Sequence, residues 1–368
     1  MRNPFAGMLS LFSFSRAAES VVGIDFGSSA LKVVQLKKKD GQAVLETYGA
    51  VALGPYAGVE ASRAARLSSV KLSEALADVM REAKVTARAC GAALPMSASL
   101  VAAFAVPSRP GQDLTSFVPI EARKYIPTPL SEVEFSWRAL PKRVTPASPA
   151  DSAAFVAPPE KTEVLATAIH RDALERTKSI CAEAGLAASF FEIEAFATAR
   201  AGAFPPEQAF GVIDIGASLA KVSIVDGGNL SDAHTVNRGG QDITLALSSS
   251  LNISVAEAEM RKRAGAQSGD WQVASAVTTR IFGEAREVFR RFEARMGEAL
   301  QGVVLSGGGA LLAGLPAEAE QALHLRASLI DPASLLSAPA FLSPLLARVG
   351  PEFAVAIGVA LRALEEVK

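Results

Sequence analysis

The stretch Val21-Val22-Gly23-Ile24-Asp25-Phe26-Gly27-Ser28-Ser29-Ala30-Leu31-Lys32-Val33-Val34 is echoed far down the chain by Phe210-Gly211-Val212-Ile213-Asp214-Ile215-Gly216-Ala217-Ser218-Leu219-Ala220-Lys221-Val222-Ser223. Each copy reads as an apolar strand, an Asp-x-Gly-x-Ser turn and a second apolar strand, because glycine permits the tight turn and β-branched residues flank it. Two hairpins separated by most of a domain's length imply a fold that repeats itself, one hairpin per lobe. With 368 residues, 49% of them hydrophobic, the chain is long enough for two lobes and a cleft between them.

Composition removes several alternatives. A formal net charge of -1 gives no global attraction to nucleic acid. Cys90 and Cys181 lie in apolar surroundings and read as buried packing thiols. His170, His234 and His324 are scattered without metal-ligand spacing. At the N-terminus Met8, Leu9, Leu11, Phe12 and Phe14 follow Arg2 and precede Arg16, a faint imitation of a secretory signal. The run is short, broken by Ser10 and Ser13, and the first hairpin begins at once, so residues 1–20 read as a tail with a docking role. Arg326 and Asp331 interrupt the apolar C-terminal region, and no uninterrupted apolar run long enough to span a bilayer is seen.

Between the hairpins, Leu72, Ala75, Leu76, Val79, Met80 and Ala83 recur at helical spacing, and Ala89–Leu94 reads as a buried strand ended by Pro95. Residues 99–168 read as an inserted subdomain with strands near Leu100–Val106 and Val133–Leu140 and a helix near Leu114–Tyr125. A Pro- and Ala-rich stretch between Lys142 and Lys161 suits a loop. A strand returns at Val164–Ile169, and Asp172 is placed to cap a helix that Gly185 ends. The expected division is a first-lobe core of 21–98 and 169–206, the insertion, a second-lobe core of 207–245 and 297–368, and a second-lobe subdomain of 246–296. In that subdomain a helix from Trp271 to Ala299 alternates Arg286, Arg290 and Arg291 with Glu284, Glu287 and Glu293, as a solvated, ion-paired face does.

Asp25 and Asp214 each stand at the end of a buried strand, where a carboxylate is costly unless a partner such as Mg²⁺ satisfies it. Gly27, Ser28 and Ser29 beside one, and Gly216, Ala217 and Ser218 beside the other, offer N–H groups and hydroxyls suited to phosphate oxygens. Lys32, on the return strand, reads as solvated. A third segment, Val303-Val304-Leu305-Ser306-Gly307-Gly308-Gly309, is an apolar strand that opens through glycines into a helix start, where backbone approaches a ligand closely.

Two Asp-x-Gly-x-Ser hairpins and a late Ser-Gly-Gly-Gly turn resemble the phosphate-one, phosphate-two and adenosine motifs of the actin, Hsp70 and sugar-kinase superfamily. Within it the chain is most similar to the type IV pilus assembly PilM family, itself akin to the FtsA division proteins. The specific stretches are Ile120-Glu121-Ala122-Arg123-Lys124-Tyr125-Ile126-Pro127-Thr128-Pro129-Leu130, Asn237-Arg238-Gly239-Gly240-Gln241-Asp242-Ile243 and Ala356-Ile357-Gly358-Val359-Ala360-Leu361-Arg362. The resemblance runs from Val21 to Leu364 and implies an α/β, actin-like (ribonuclease H-like) two-lobed ATPase fold with an FtsA/PilM-type insertion.

It also implies roles. Asp25, Gly27, Ser28 and Ser29 would serve one phosphate loop and Asp214, Gly216 and Ser218 the other, both aspartates holding Mg²⁺ through water. Glu194 aligns with the carboxylate that orients the hydrolytic water, with Glu192 as its comparator. Glu259 and Lys262 match a helix that contacts ribose and adenine, whereas Glu257 and Arg261 point elsewhere by helical spacing. Gly307, Gly308 and Gly309 would cradle the adenosine side. Phe26 stands where an aliphatic residue is usual, and Ala195 where Hsp70-like members have proline. The implied function is an ATP-binding cytoplasmic assembly protein, brought to the inner membrane by the N-terminal cytoplasmic peptide of a PilN-like protein, with self-association open and at most weak ATPase activity. An FtsA-like division filament and a small-molecule kinase, with Glu121, Glu132 or Glu134 as acceptor base, are the alternatives.

Overall fold

The computed structural model describes residues 20–109, 112–140, 161–265 and 268–366. The N-terminal tail and nearly all of the Pro- and Ala-rich stretch therefore lie outside the described residues. Strands β1 (Ser20–Phe26), β2 (Ala30–Lys39) and β3 (Gln42–Ala52) are followed by helix α1 (Ser69–Glu82) and β4 (Ala89–Leu94). The insertion contributes β5 (Ser99–Pro107), α2 (Val118–Ala122), β6 (Val133–Ala139) and β7 (Lys161–His170), and the chain returns through α3 (Arg171–Glu183), β8 (Ala187–Ile193) and α4 (Glu194–Ala201). The second half runs β9 (Ala209–Ile215), β10 (Ala220–Asp226), β11 (Asn229–Val236), α5 (Gly240–Leu251), α6 (Val255–Ala264) and α7 (Ser268–Met296). It ends with β12 (Val303–Ser306), α8 (Leu315–Leu323), β13 (Ala327–Leu329) and α9 (Ser343–Glu366).

The repeat seen in the sequence is a repeat of topology. The first sheet has the order β3-β2-β1-β4-β8 and the second β11-β10-β9-β12-β13. In each, the two hairpin connections are antiparallel and the following strands pair parallel. The hairpin registers coincide too: Asp25 lies opposite Lys32, and Asp214 opposite Lys221. The insertion is a separate three-stranded sheet, β5-β7-β6, around Phe104, Val118, Ala122 and Ile126.

One face of the first sheet is covered by Ala75, Leu76, Val79 and Met80 of α1 with Ile180 and Cys181 of α3, and both cysteines are buried there. The second sheet packs on α7 through Ile281, Phe282, Ala285, Val288, Phe289 and Phe292. The exposed face of α7 carries ion pairs such as Arg290–Glu287 at 3.0 Å.

Three local expectations need correction. The C-terminal helix, placed with the second lobe by chain order, packs on the first sheet: Phe353, Ala356, Ile357, Val359, Ala360 and Leu364 of α9 share a core with Val21, Val34 and Leu36. Its apolar face covers the side of that sheet which α1 and α3 leave open. Ala340–Glu366 is long and apolar enough to cross a bilayer by length and composition, yet it is largely buried inside the protein as a core helix. The helix expected over Leu114–Tyr125 contracts to α2, because Pro119 suits only the first turn of a helix and fixes its start. Asp172 sits in the first turn of α3, which His170 precedes as cap residue, so its charge meets the helix dipole without capping it.

Candidate functional site

The two Asp-x-Gly turns face each other across a cavity of about 850 Å³ between the sheets. Its lining includes Asp25, Gly27, Ser28 and Ser29 from the first hairpin and Asp214, Gly216 and Ser218 from the second. Glu194, Glu259, Lys262 and Gly307–Gly309 also line it, so the residues expected to bind nucleotide and Glu194 border one cavity.

Local geometry explains the glycines. A Cβ on Gly27 would come 2.6 Å from the Ala30 carbonyl, and one on Gly216 would come 3.0 Å from the Leu219 carbonyl. Both turns thus close tightly at the same offset. Their carbonyls are held by neighbouring backbone: Ala65 N donates to Ser28 O at 2.9 Å and Leu53 N to Ser29 O at 2.8 Å. In the second lobe Gly240 N donates to Gly216 O at 2.9 Å and Gln241 N to Ala217 O at 2.8 Å. The start of α5 therefore rests on the turn, and a side chain on Gly239 would strike Ala217 O at 2.5 Å. This accounts physically for the Asn-Arg-Gly-Gly-Gln-Asp stretch.

The third glycine segment departs in detail from the expected strand-to-helix turn. Gly307, at φ +83, and a single 3-10 turn over Gly308–Leu311 follow β12, and α8 begins only at Leu315 after Gly314, at φ +84. Gly307 packs against the second aspartate, since a Cβ there would lie 2.3 Å from Asp214 Oδ1. Its N–H donates to Pro351 O of α9 at 2.9 Å.

The electrostatics centre on three buried carboxylates and two lysines. Lys32 Nζ is 3.4 Å from Asp25 Oδ2 with only 15% of its side chain exposed, so the solvated lysine expected from sequence is a buried ion-pair partner. The hairpin register dictates this, because the two residues are cross-strand neighbours. Lys221, its counterpart in the echo, was overlooked in the sequence. It lies 3.1 Å from Asp214 Oδ2 and 2.9 Å from Glu194 Oε2. Glu194 opens α4, and its Oε1 accepts from Met96 N at 2.8 Å. Ala195 in place of proline has not carried it out of the cavity. Burial would push the Lys221 ammonium toward neutrality, but Asp214 and Glu194 override it and hold its pKa above the ordinary lysine range. Burial drives the Glu194 carboxyl upward, with Asp214 and Asp25 adding to the effect and Lys221 opposing it.

At the other end of the cavity Glu259 and Lys262 pair at 2.6 Å, both largely buried. Lys262 Nζ also donates to Gly240 O at 3.0 Å and Thr244 Oγ1 at 2.8 Å. Burial opposes ionisation of Glu259, but Lys262, Thr244 and Arg263 outweigh it and hold its pKa low. Burial lowers that of Lys262. Glu257 and Arg261 pair with each other on the exposed side, at 2.9 Å, as their spacing requires. Glu192 likewise faces away from the cavity, bonded to Arg200 and Arg362. Glu121, Glu132 and Glu134 do not line the cavity, which leaves the kinase alternative without its acceptor base.

The fit to a divalent cation can be tested on these bonds. Asp25 and Asp214 each give Oδ2 to an ammonium group. Among the described residues no three His, Cys, Asp or Glu side chains form a direct metal cage. With each Oδ2 taken, Oδ1 is what either aspartate would offer a hydrated cation.

Comparison with known proteins gives a consistent picture. The family described as type IV pilus assembly protein PilM matches residues 23–364. The PilM-PilN type IV pilus biogenesis complex has a chain 24% identical, with a TM-score of 0.74, over 94% of this chain and 98% of that one. The ethanolamine utilization protein EutJ from Carboxydothermus hydrogenoformans is 14% identical at a TM-score of 0.54, over 93% and 89% of the two chains. MreB 5 of Spiroplasma citri, solved with AMPPNP bound, is 11% identical at 0.53, over 93% and 95%. At these identities the three likenesses establish the fold, which is the actin-like one.

Proposed function

Because this chain belongs to the type IV pilus assembly protein PilM family, we propose that it holds ATP in the cavity between its lobes and uses the bound nucleotide to govern docking of a PilN-like peptide. The observation that carries this is the convergence of both Asp-x-Gly-x-Ser turns, the Gly307–Gly309 turn and the Glu259–Lys262 pair on one interlobe cavity. Turns that present backbone N–H groups and hydroxyls from two sides suit a chain of phosphates. Asp25 and Asp214 would hold Mg²⁺ through water, and that ion, when bound, supplies charge that neutralises the phosphates. Glu194 is the carboxylate we assign to orienting a water, and both its oxygens are already engaged, by Met96 N–H and Lys221. Slow turnover or simple retention of ATP follows.

For the peptide we assign the insertion, residues 99–168, beside the first-lobe core. Phe117, Ile120 and Tyr125 are exposed there, at 48%, 63% and 44%. Phe135 and Trp137 pack on the insertion's own core and are structural. A cytoplasmic protein recruited to the inner membrane through that peptide accords with the PilM-PilN complex among its structural relatives.

The test is calorimetry of the protein with ATP and Mg²⁺ beside Asp214→Asn, followed by titration of the N-terminal peptide of the PilN-like protein in each nucleotide state. ATP binding that weakens about a hundredfold in the variant, with peptide affinity that depends on nucleotide, is the expected result. No ATP binding by the native protein would reduce the likeness to fold alone.

A further inference from the structure

Lys221 reaches across the floor of the cleft. It belongs to β10 of the second sheet, whereas Glu194 opens α4, which follows β8 of the first. One ammonium group therefore bonds a carboxylate from each half of the molecule, Glu194 at 2.9 Å and Asp214 at 3.1 Å. All three side chains are at most 15% exposed, so solvent screens the group weakly. Asp25, the third carboxylate, has Lys32 at 3.4 Å. Without Lys221, three carboxylates would share the floor with one ammonium group.

A nucleotide adds several negative charges to that floor. A bound divalent ion is commonly the largest positive charge in such a site, and it makes the approach of phosphates to carboxylates tolerable. Here part of that charge is built into the chain, fixed by its own hairpin register opposite Asp214.

We propose that Lys221 is a tethered cation of the cleft: it fastens Glu194 of the first lobe to Asp214 of the second, and it supplies charge that would otherwise have to come from a divalent ion. The role rests on nucleotide being the ligand of this cavity. Its consequence is that nucleotide binding is tolerant of divalent-cation removal. Lys221 is thus a specificity-determining residue for the form in which the nucleotide is taken, free or metal-bound.

The experiment is calorimetric titration of ATP into the full chain, once with excess Mg²⁺ and once with excess EDTA, for the native protein, Lys221→Met and Lys221→Arg. The native affinity is expected to fall by less than about tenfold on metal removal, and that of Lys221→Met by about a hundredfold or more. Lys221→Arg, which keeps the charge, should restore metal tolerance. The ratio of the two affinities is the readout, and a merely structural ion pair would not move it. Binding of ATP by the native protein only with Mg²⁺ overturns the tethered cation whatever the variants do, and leaves the nucleotide site standing. An equal ratio in native and Lys221→Met does the same. Absence of ATP binding in both buffers overturns the site and the tethered cation together.

Discussion

Gly23→Ala adds one methyl group in the middle of β1, two residues before Asp25. The new Cβ would lie 2.1 Å from the carbonyl oxygen of Ala356, 2.5 Å from the amide nitrogen of Ala360 and 2.8 Å from its Cβ. Ordinary carbon–oxygen contact is about 3.2 Å or more, so α9 has to withdraw from β1 by roughly 1 Å. No rotamer change can relieve the clash, since two of the three obstructing atoms are main chain. Overpacking costs about 1–3 kcal/mol in general, and a main-chain obstruction puts this case near 3. A chain of this length loses roughly 1–2 °C of melting temperature per kcal/mol, which predicts a fall of about 3–6 °C. Gly283→Ala is the matched control. That glycine lies in α7, and a Cβ there meets nothing within 4 Å. The same methyl group should stabilise the helix by about 0.5–1 kcal/mol and raise the melting temperature by about 1 °C. Differential scanning calorimetry of both variants decides the matter. Gly23→Ala melting within about 1 °C of the native protein, or both variants shifting in the same direction, would refute the packing of α9 on β1 through a glycine.

Two further outcomes are expected. Tyr56 donates to Asp78 Oδ2 at 2.6 Å, and burial together with that bond pushes its pKa up to about 12 from 10.0. The interaction therefore stabilises the fold fully below pH 10.0 and is lost as the pH rises through about 12. The phenolate absorbance of native protein minus that of Tyr56→Phe should show the step near pH 12, and a step at the ordinary tyrosine value contradicts it. Glu192, 4% exposed, accepts from Arg200 at 2.7 and 3.0 Å and from Arg362 at 3.0 Å. Glu192→Ala takes the shared carboxylate from two arginines that are 27% and 32% exposed, leaving Arg200 on Gly358 O and Arg362 on Glu366. Their partial hydration trims the penalty of a broken buried pair to about 2 kcal/mol, measurable by urea unfolding, with ATP affinity unchanged. A loss below about 0.5 kcal/mol would show the network to be idle.

Legibility followed the range of the interaction. The two Asp-x-Gly hairpins were readable because everything that defines them lies within about a dozen residues, and their recurrence made each copy evidence for the other. The resemblance singles out Glu259 and Lys262, and helical spacing alone sets Glu257 and Arg261 on another side of the same helix, where they pair with each other. Lys32 and Lys221 were visible in the echo, and strand register would have set each opposite its aspartate. The bond from Lys221 to Glu194 was not accessible in that way, because it joins two sheets through separate chain segments. The place of α9 was hidden for the same reason: an apolar helix face states that it will be buried and is silent about which sheet will cover it. The short span of α2 has a local cause, the proline in its first turn.

The glycines around α9 have a mechanical meaning. Gly23 brings β1 onto the backbone of α9 at Ala356, and Gly358 brings α9 onto the backbone of α4, where a Cβ would fall 2.0 Å from Ala197 O. At its other end the same helix accepts the Gly307 N–H through Pro351 O. Side-chain layers absorb small displacements by changing rotamers, but backbone seated on backbone has no such compliance. One helix therefore meets the Gly307 turn, β1, with Asp25 at its end, and α4, with Glu194 at its start. The parts of the cleft are tied from the back through main chain as well as through the charges on the floor.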